Sequence, residues 1–66
     1  MPVINIDLAK GQVDEQQKKE MIVRFTETAA DIMNFGKEKF TVFINESPAE
    51  NIGVGGAVLK ELLAGK

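Results

Sequence analysis

The residue with the most chemical potential in this chain is the proline that follows Met1. An initiating methionine is normally removed when the next residue is small, which would leave Pro2 as the N-terminus. A proline inside a chain is an amide and takes up no proton. A terminal proline is a secondary amine and does. An α-amino group has a reference pKa of roughly 7.7–8.0, already near neutrality. Burial disfavours its charged form and lowers the pKa further. Pro2 is therefore a candidate general acid and base in a chain that has no histidine and no cysteine. Many chains begin Met-Pro with no chemical consequence, so the surrounding elements must carry the case.

Those elements belong to a chain of 66 residues, which makes one domain, expected to span 1–66. A chain this short buries only about 60% of its unfolded surface. It has no disulfide, and without Cys/His clusters it lacks the usual makings of a structural zinc site. Association of chains is the remaining route to stability. The net charge is −2, with no basic stripe or aromatic platform, which argues against nucleic acid as a partner. No apolar run approaches a membrane span, and no basic-then-apolar leader opens the chain. The expectation is a cytoplasmic protein. The Asn45-Glu46-Ser47 sequon then reads as chance.

Alternation over Val3–Leu8 predicts a strand with Ile4, Ile6 and Leu8 on one face and Val3, Asn5 and Asp7 on the other. Gly11 supplies the turn that follows. Asp14 and Gln17 have capping-box spacing and open a helix. Met21, Ile22, Phe25, Ala29, Ile32 and Met33 give it a wide apolar stripe. Asn34-Phe35-Gly36 ends it, with Gly36 the expected left-handed stop. Phe40–Asn45 predicts a second strand with Phe40, Val42 and Ile44 on one face. The strand–helix–strand order implies a right-handed crossover and a parallel pair. Two strands and one helix leave open edges and an uncovered face for other copies to complete. Ser47–Asn51 reads as a loop, and Ile52-Gly53-Val54-Gly55-Gly56 as a short extended piece or hairpin. Its glycine spacing fits neither a dinucleotide fingerprint nor a P-loop. Ala57–Leu63 can form one or two helical turns, and Gly65 and Lys66 a fraying tail.

In this order and spacing the chain resembles the 4-oxalocrotonate tautomerase family, as a divergent member. The resemblance rests on Pro2 with Val3-Ile4-Asn5-Ile6 behind it, the Lys10-Gly11 turn and the Asp14-Glu15-Gln16-Gln17-Lys18 helix entry. It continues through the Phe40–Ile44 strand, Glu46, and Gly53-Val54-Gly55-Gly56. It implies an α/β fold in which a β-α-β subunit pairs with a second into a four-stranded sheet, with three dimers forming a homohexamer. It implies a keto–enol tautomerase whose amino-terminal proline, Pro2, shuttles a proton, with no metal and no organic cofactor. The implied partners are a small-molecule substrate and copies of the chain, with no membrane.

The chain departs from the family pattern where substrate is held. One family arginine follows the first strand, where this chain has Gln12 or Val13. The other opens the second strand, where Thr41 stands, and a hairpin aromatic is matched by Ile52. Thr41 has neither the charge nor the bidentate fork of a guanidinium. Arg24, the only arginine, falls beside the helix stripe and is expected at the surface. Lys10, Lys37 and Lys39 are better placed to supply charge. Losing one preorganised donor typically costs about 2.7–4 kcal/mol of barrier. A neutral or monoacid enol is thus the better expectation than a dicarboxylate, with donation from Gln12, Thr41 or a backbone amide. The competing reading is a non-catalytic oligomeric scaffold or binding protein on the same fold. Hydration or decarboxylation of an unsaturated acid ranks behind both.

Overall fold

Strand β1 (Val3–Ala9) leads through helix α1 (Glu15–Met33) to strand β2 (Thr41–Ser47), as a computed structural model that describes residues 1–65 shows. Lys66, expected in the terminal tail, lies outside the described residues. β1 and β2 pair in parallel, from Val3 opposite Thr41 to Ala9 opposite Ser47. The alternation is as expected: Ile4, Ile6, Leu8, Val42 and Ile44 are half-buried, while Val3, Asn5, Asp7, Phe43 and Asn45 are exposed. β2 begins one residue later than expected. Phe40 instead closes a 3-10 turn over Lys37–Lys39 and sets its ring 6.4 Å from that of Phe35.

The helix entry follows the capping-box pattern. The Asp14 carboxylate accepts from the Gln17 amide at 2.8 Å, and the Gln17 side-chain oxygen accepts from the Asp14 amide at 2.9 Å. The helix stop departs from expectation. Asn34, with φ 58° and ψ 40°, takes the left-handed position, and Gly36 is extended with φ −70°. Asparagine tolerates this region because its short polar side chain can bond locally. The Asn34 amide donates to the Ala30 carbonyl and ends the helix there.

The apolar stripe of α1 is only partly covered. Ala30 is the buried hydrophobic residue of the described chain, and Ile32 remains 79% exposed. Two strands lie about 4.8 Å apart, too narrow a floor for a helix about 10 Å wide. The molecule is correspondingly open. Its surface is 5127 Å², against roughly 4,100 Å² for a finished monomer of this mass. Its radius of gyration is 15.1 Å, against about 11 Å for a compact chain of this length.

After β2, a 3-10 turn (Ala49–Asn51) leads into a hairpin of β3 (Gly53–Val54) and β4 (Ala57–Val58). Gly55 and Gly56 have φ of 60° and 87°, the paired positive values that a two-residue hairpin turn requires. Helix α2 (Leu59–Ala64) starts two residues later than expected, because Ala57 and Val58 are spent in β4. The Leu59 amide donates to the Ile52 carbonyl at 2.7 Å, which seats α2 at the foot of the hairpin. Among the described residues no helix is long and apolar enough to cross a membrane.

Candidate functional site

The residues singled out by sequence fall at the two ends of the β1–β2 ribbon. At the first end, Pro2 precedes β1 and is half-buried. Its carbonyl accepts from the Thr41 amide at 3.1 Å, so the first bond across to β2 is made by the proline. Met1 is 89% exposed, and the Thr41 hydroxyl donates to its sulfur at 3.5 Å. Pro2 and Thr41 are thus brought together.

At the other end, Leu8, Gln12, Ser47, Ile52 and Leu59, with the neighbouring Asp7 and Ala9, line an open cleft of about 340 Å³. Gln12 and Ile52, far apart in sequence, meet here because the Leu59 amide ties α2 to Ile52 and the Lys10 amide donates to the Ser47 carbonyl at 2.8 Å. Val13 does not join them. It lies with Met21, Arg24 and Phe25 along a flank of α1. A seven-residue strand separates the two ends, roughly 23 Å at a strand's rise per residue. The residues singled out by sequence therefore form two separate groups within one chain.

The cations are engaged elsewhere or exposed. Arg24 pairs with Glu20 at 3.0 Å, one turn back on the same exposed face of α1. Lys37 reaches Glu27 at 3.9 Å. Lys10 and Lys39 are exposed, and neither lines the cleft. Among the described residues no group of His, Cys, Asp or Glu is placed to hold a metal ion.

Two pairings escape a reading of sequence alone. Lys18 at the start of α1 reaches Glu46 near the end of β2 at 2.7 Å, with both side chains largely covered. The Asn45 amide nitrogen donates to the Asp7 carboxylate at 3.1 Å on the open face of the sheet. Asp7 and Asn45 are partners in the parallel register. Partners so far apart in the chain leave no periodic signal. The one available cue was that Asn45 ends a strand expected to pair with β1.

Comparison with known proteins agrees with this architecture. The family model described as Tautomerase enzyme matches residues 2–62. A probable tautomerase of Campylobacter jejuni is 34% identical over 64 residues, 97% of this chain and 94% of that protein. The 2-hydroxymuconate tautomerase of Bacillus subtilis is 29% identical over 62 residues, 94% of this chain and 98% of that protein. Among solved structures, a heterohexamer 4-oxalocrotonate tautomerase from Chloroflexus aurantiacus superposes with a TM-score of 0.87 at 26% identity. That match covers 94% of this chain and 98% of the other. A proline-led parallel β-α-β unit with a closing glycine hairpin, matched along almost its whole length, places the chain in the tautomerase family, among its 4-oxalocrotonate tautomerase-like members.

Proposed function

We propose that this chain is a cofactor-independent keto–enol tautomerase that uses Pro2, freed by removal of Met1, as its general acid and base on a small enol or unsaturated acid. The observation that carries this reading is the anchoring of Pro2 through its carbonyl to the Thr41 amide. That bond fixes the residue while leaving its nitrogen out of the sheet ladder. The neutral amine takes a proton from one atom of a conjugated enol or ketone. The electron pair shifts along the conjugated system. The prolinium then returns the proton at another atom. Substrate and product are isomers, and no oxidant or reductant is required.

The two groups of residues meet when β1 pairs with a second copy of itself. β1 and β2 form a two-stranded sheet, so β1 has a free outer edge. Two-fold pairing along that edge is antiparallel. It yields a four-stranded sheet and sets the Pro2 end of each β1 beside the cleft end of the other. Pro2 of one protomer then faces the Leu8, Gln12 and Ile52 wall of its partner. The apolar part of that wall keeps water from the amine and favours its neutral form. The open sheet face, with Val3 and Phe43 exposed, is left to stack dimers into a homohexamer. The solved heterohexamer relative supports that number.

The alternative reading is a non-catalytic oligomeric binding protein on the same fold. It is favoured by the absence of any lysine or arginine among the described residues from the lining of the cleft. Intact mass of natively expressed protein followed by ¹⁵N titration of Pro2 separates the two. A processed terminus titrating below a free amine, with activity lost in Pro2→Ala, supports the enzyme. A retained Met1, or an amine of ordinary pKa with Pro2→Ala silent, supports the binding protein.

A further inference from the structure

The cleft at the end of the ribbon has a distinctive polarity. It is lined by the aliphatic residues Leu8, Ile52 and Leu59 and by the polar residues Gln12 and Ser47. No lysine or arginine among the described residues lines it. The nearby cations do not compensate. Lys18 is committed to Glu46 at 2.7 Å. Lys10 and Lys60 are exposed to solvent, where their fields are screened. The Asp7 carboxylate is turned away from the cleft, held by Asn45 on the open face of the sheet. The Gln12 side chain makes no hydrogen bond among the described residues, so its amide donors are available to a ligand.

We propose that this cleft binds an uncharged enol or conjugated ketone and discriminates against dicarboxylates, with Gln12 the donor to the substrate oxygen. The identification of the ligand as an enol rests on the tautomerase reading. The charge preference rests on the cleft itself. A side-chain amide donates well to a carbonyl or enol oxygen but brings no charge to offset a carboxylate. A carboxylate ligand would have to leave water for a cleft lined by no lysine or arginine among the described residues. A neutral ligand pays no such penalty, and the three aliphatic walls favour it. The cavity volume of about 340 Å³ is at the small end of ligand pockets, which run from about 300 Å³ upward.

The test uses the processed full-length protein and three enols of increasing charge: the enol of acetylacetone, phenylenolpyruvate and 2-hydroxymuconate. The expected kcat/KM falls along that series, by at least about tenfold between its ends, the factor that corresponds to about one pKa unit of interaction. Gln12→Arg is expected to reverse the order. Equal or better turnover of 2-hydroxymuconate by the wild-type chain overturns the proposal, as does an order indifferent to Gln12→Arg. A binding titration separates this from failure of the tautomerase reading. Acetylacetone should shift the Gln12 side-chain amide resonances where cis,cis-muconate at the same concentration does not. If none of the enols turns over but that contrast holds, the tautomerase reading fails and the charge preference stands. If muconate shifts the amide as strongly, the charge preference fails whatever the kinetics show.

Discussion

The Pro2 carbonyl accepts a hydrogen bond from the Thr41 amide at 3.1 Å. The proline is thereby held through its carbonyl, which leaves its nitrogen to the proton transfer we propose. Substitution by alanine keeps that carbonyl but replaces the secondary amine with a primary one of different geometry and basicity. Pro2→Ala is expected to lower kcat by about 10²–10⁴, the usual contribution of a positioned acid–base group, with its far-UV circular dichroism unchanged. A loss of activity accompanied by loss of secondary structure would instead make Pro2 a structural residue.

The pH dependence follows from the same chemistry. In the proposed mechanism the working base is the neutral amine, so kcat/KM should rise with pH through the titration of Pro2 in the free enzyme and fall away below it. The midpoint of that limb should coincide with the Pro2 midpoint read by ¹⁵N NMR on the processed protein. A pH profile whose limb does not track the Pro2 titration would assign the base to another group.

Lys18 and Glu46 join the first turn of α1 to the end of β2 across 2.7 Å. Glu46 is paired in register with Leu8, a wall of the cleft. The ion pair therefore fixes the turn carrying Gln12 relative to that wall. Lys18→Met leaves Glu46 half-covered without its partner and is expected to cost about 1 kcal/mol of stability. Urea unfolding at fixed protomer concentration reads this, since association contributes to the apparent stability. A double-mutant cycle with Glu46→Gln should show a coupling energy above the few tenths of a kcal/mol expected of an exposed pair. Additive single effects would show that the two side chains do not communicate.

The local elements were legible in the sequence because they are written in local signals. The capping box needs only Asp14 and Gln17, the first strand only the alternation of Ile4, Ile6 and Leu8, and the hairpin only its glycines. The cleft was not legible, because Gln12 and Ile52 are brought together by backbone bonds at Lys10 and Leu59 that no spacing announces. The apolar stripe of α1 was read correctly as a sequence feature, yet one chain covers little of it, since two strands are too narrow a floor for the helix. The helix stop was assigned to Gly36 because glycine is the commoner residue there, whereas the structure uses Asn34 at φ 58°. Asn34→Ala should therefore destabilise the protein by about 1–2 kcal/mol, the cost of placing a Cβ without a compensating polar group in the left-handed region. Asn34→Gly should be close to neutral, and Gly36→Ala should cost less than Asn34→Ala, the adjacent Glu38 side chain being free to swing aside. Thermal unfolding ranks the three variants, and a larger loss from Gly36→Ala would contradict the assignment.

The open face of the sheet makes the last prediction. Phe43 is 52% exposed and Val3 45% exposed on a face that carries the Asp7–Asn45 pair and no covering helix. An isolated chain would leave both in water. Burying a phenylalanine side chain contributes about 1.5–3 kcal/mol, and every copy in a closed assembly contributes one. Phe43→Glu replaces that gain with the cost of an unpaired charge at the interface. The β1 edge, which we assign to the two-fold pairing, does not involve the Phe43 side chain. Phe43→Glu is therefore expected to reduce the assembly from a hexamer to a dimer in sedimentation velocity, while the dimer persists. A wild-type hexamer that survives the substitution would mean that the stacking interface lies on the exposed flank of α1, around Phe25 and Ile32, rather than on the sheet. Monomers would mean that both interfaces depend on this face, and the assignment of the β1 edge would have to be abandoned.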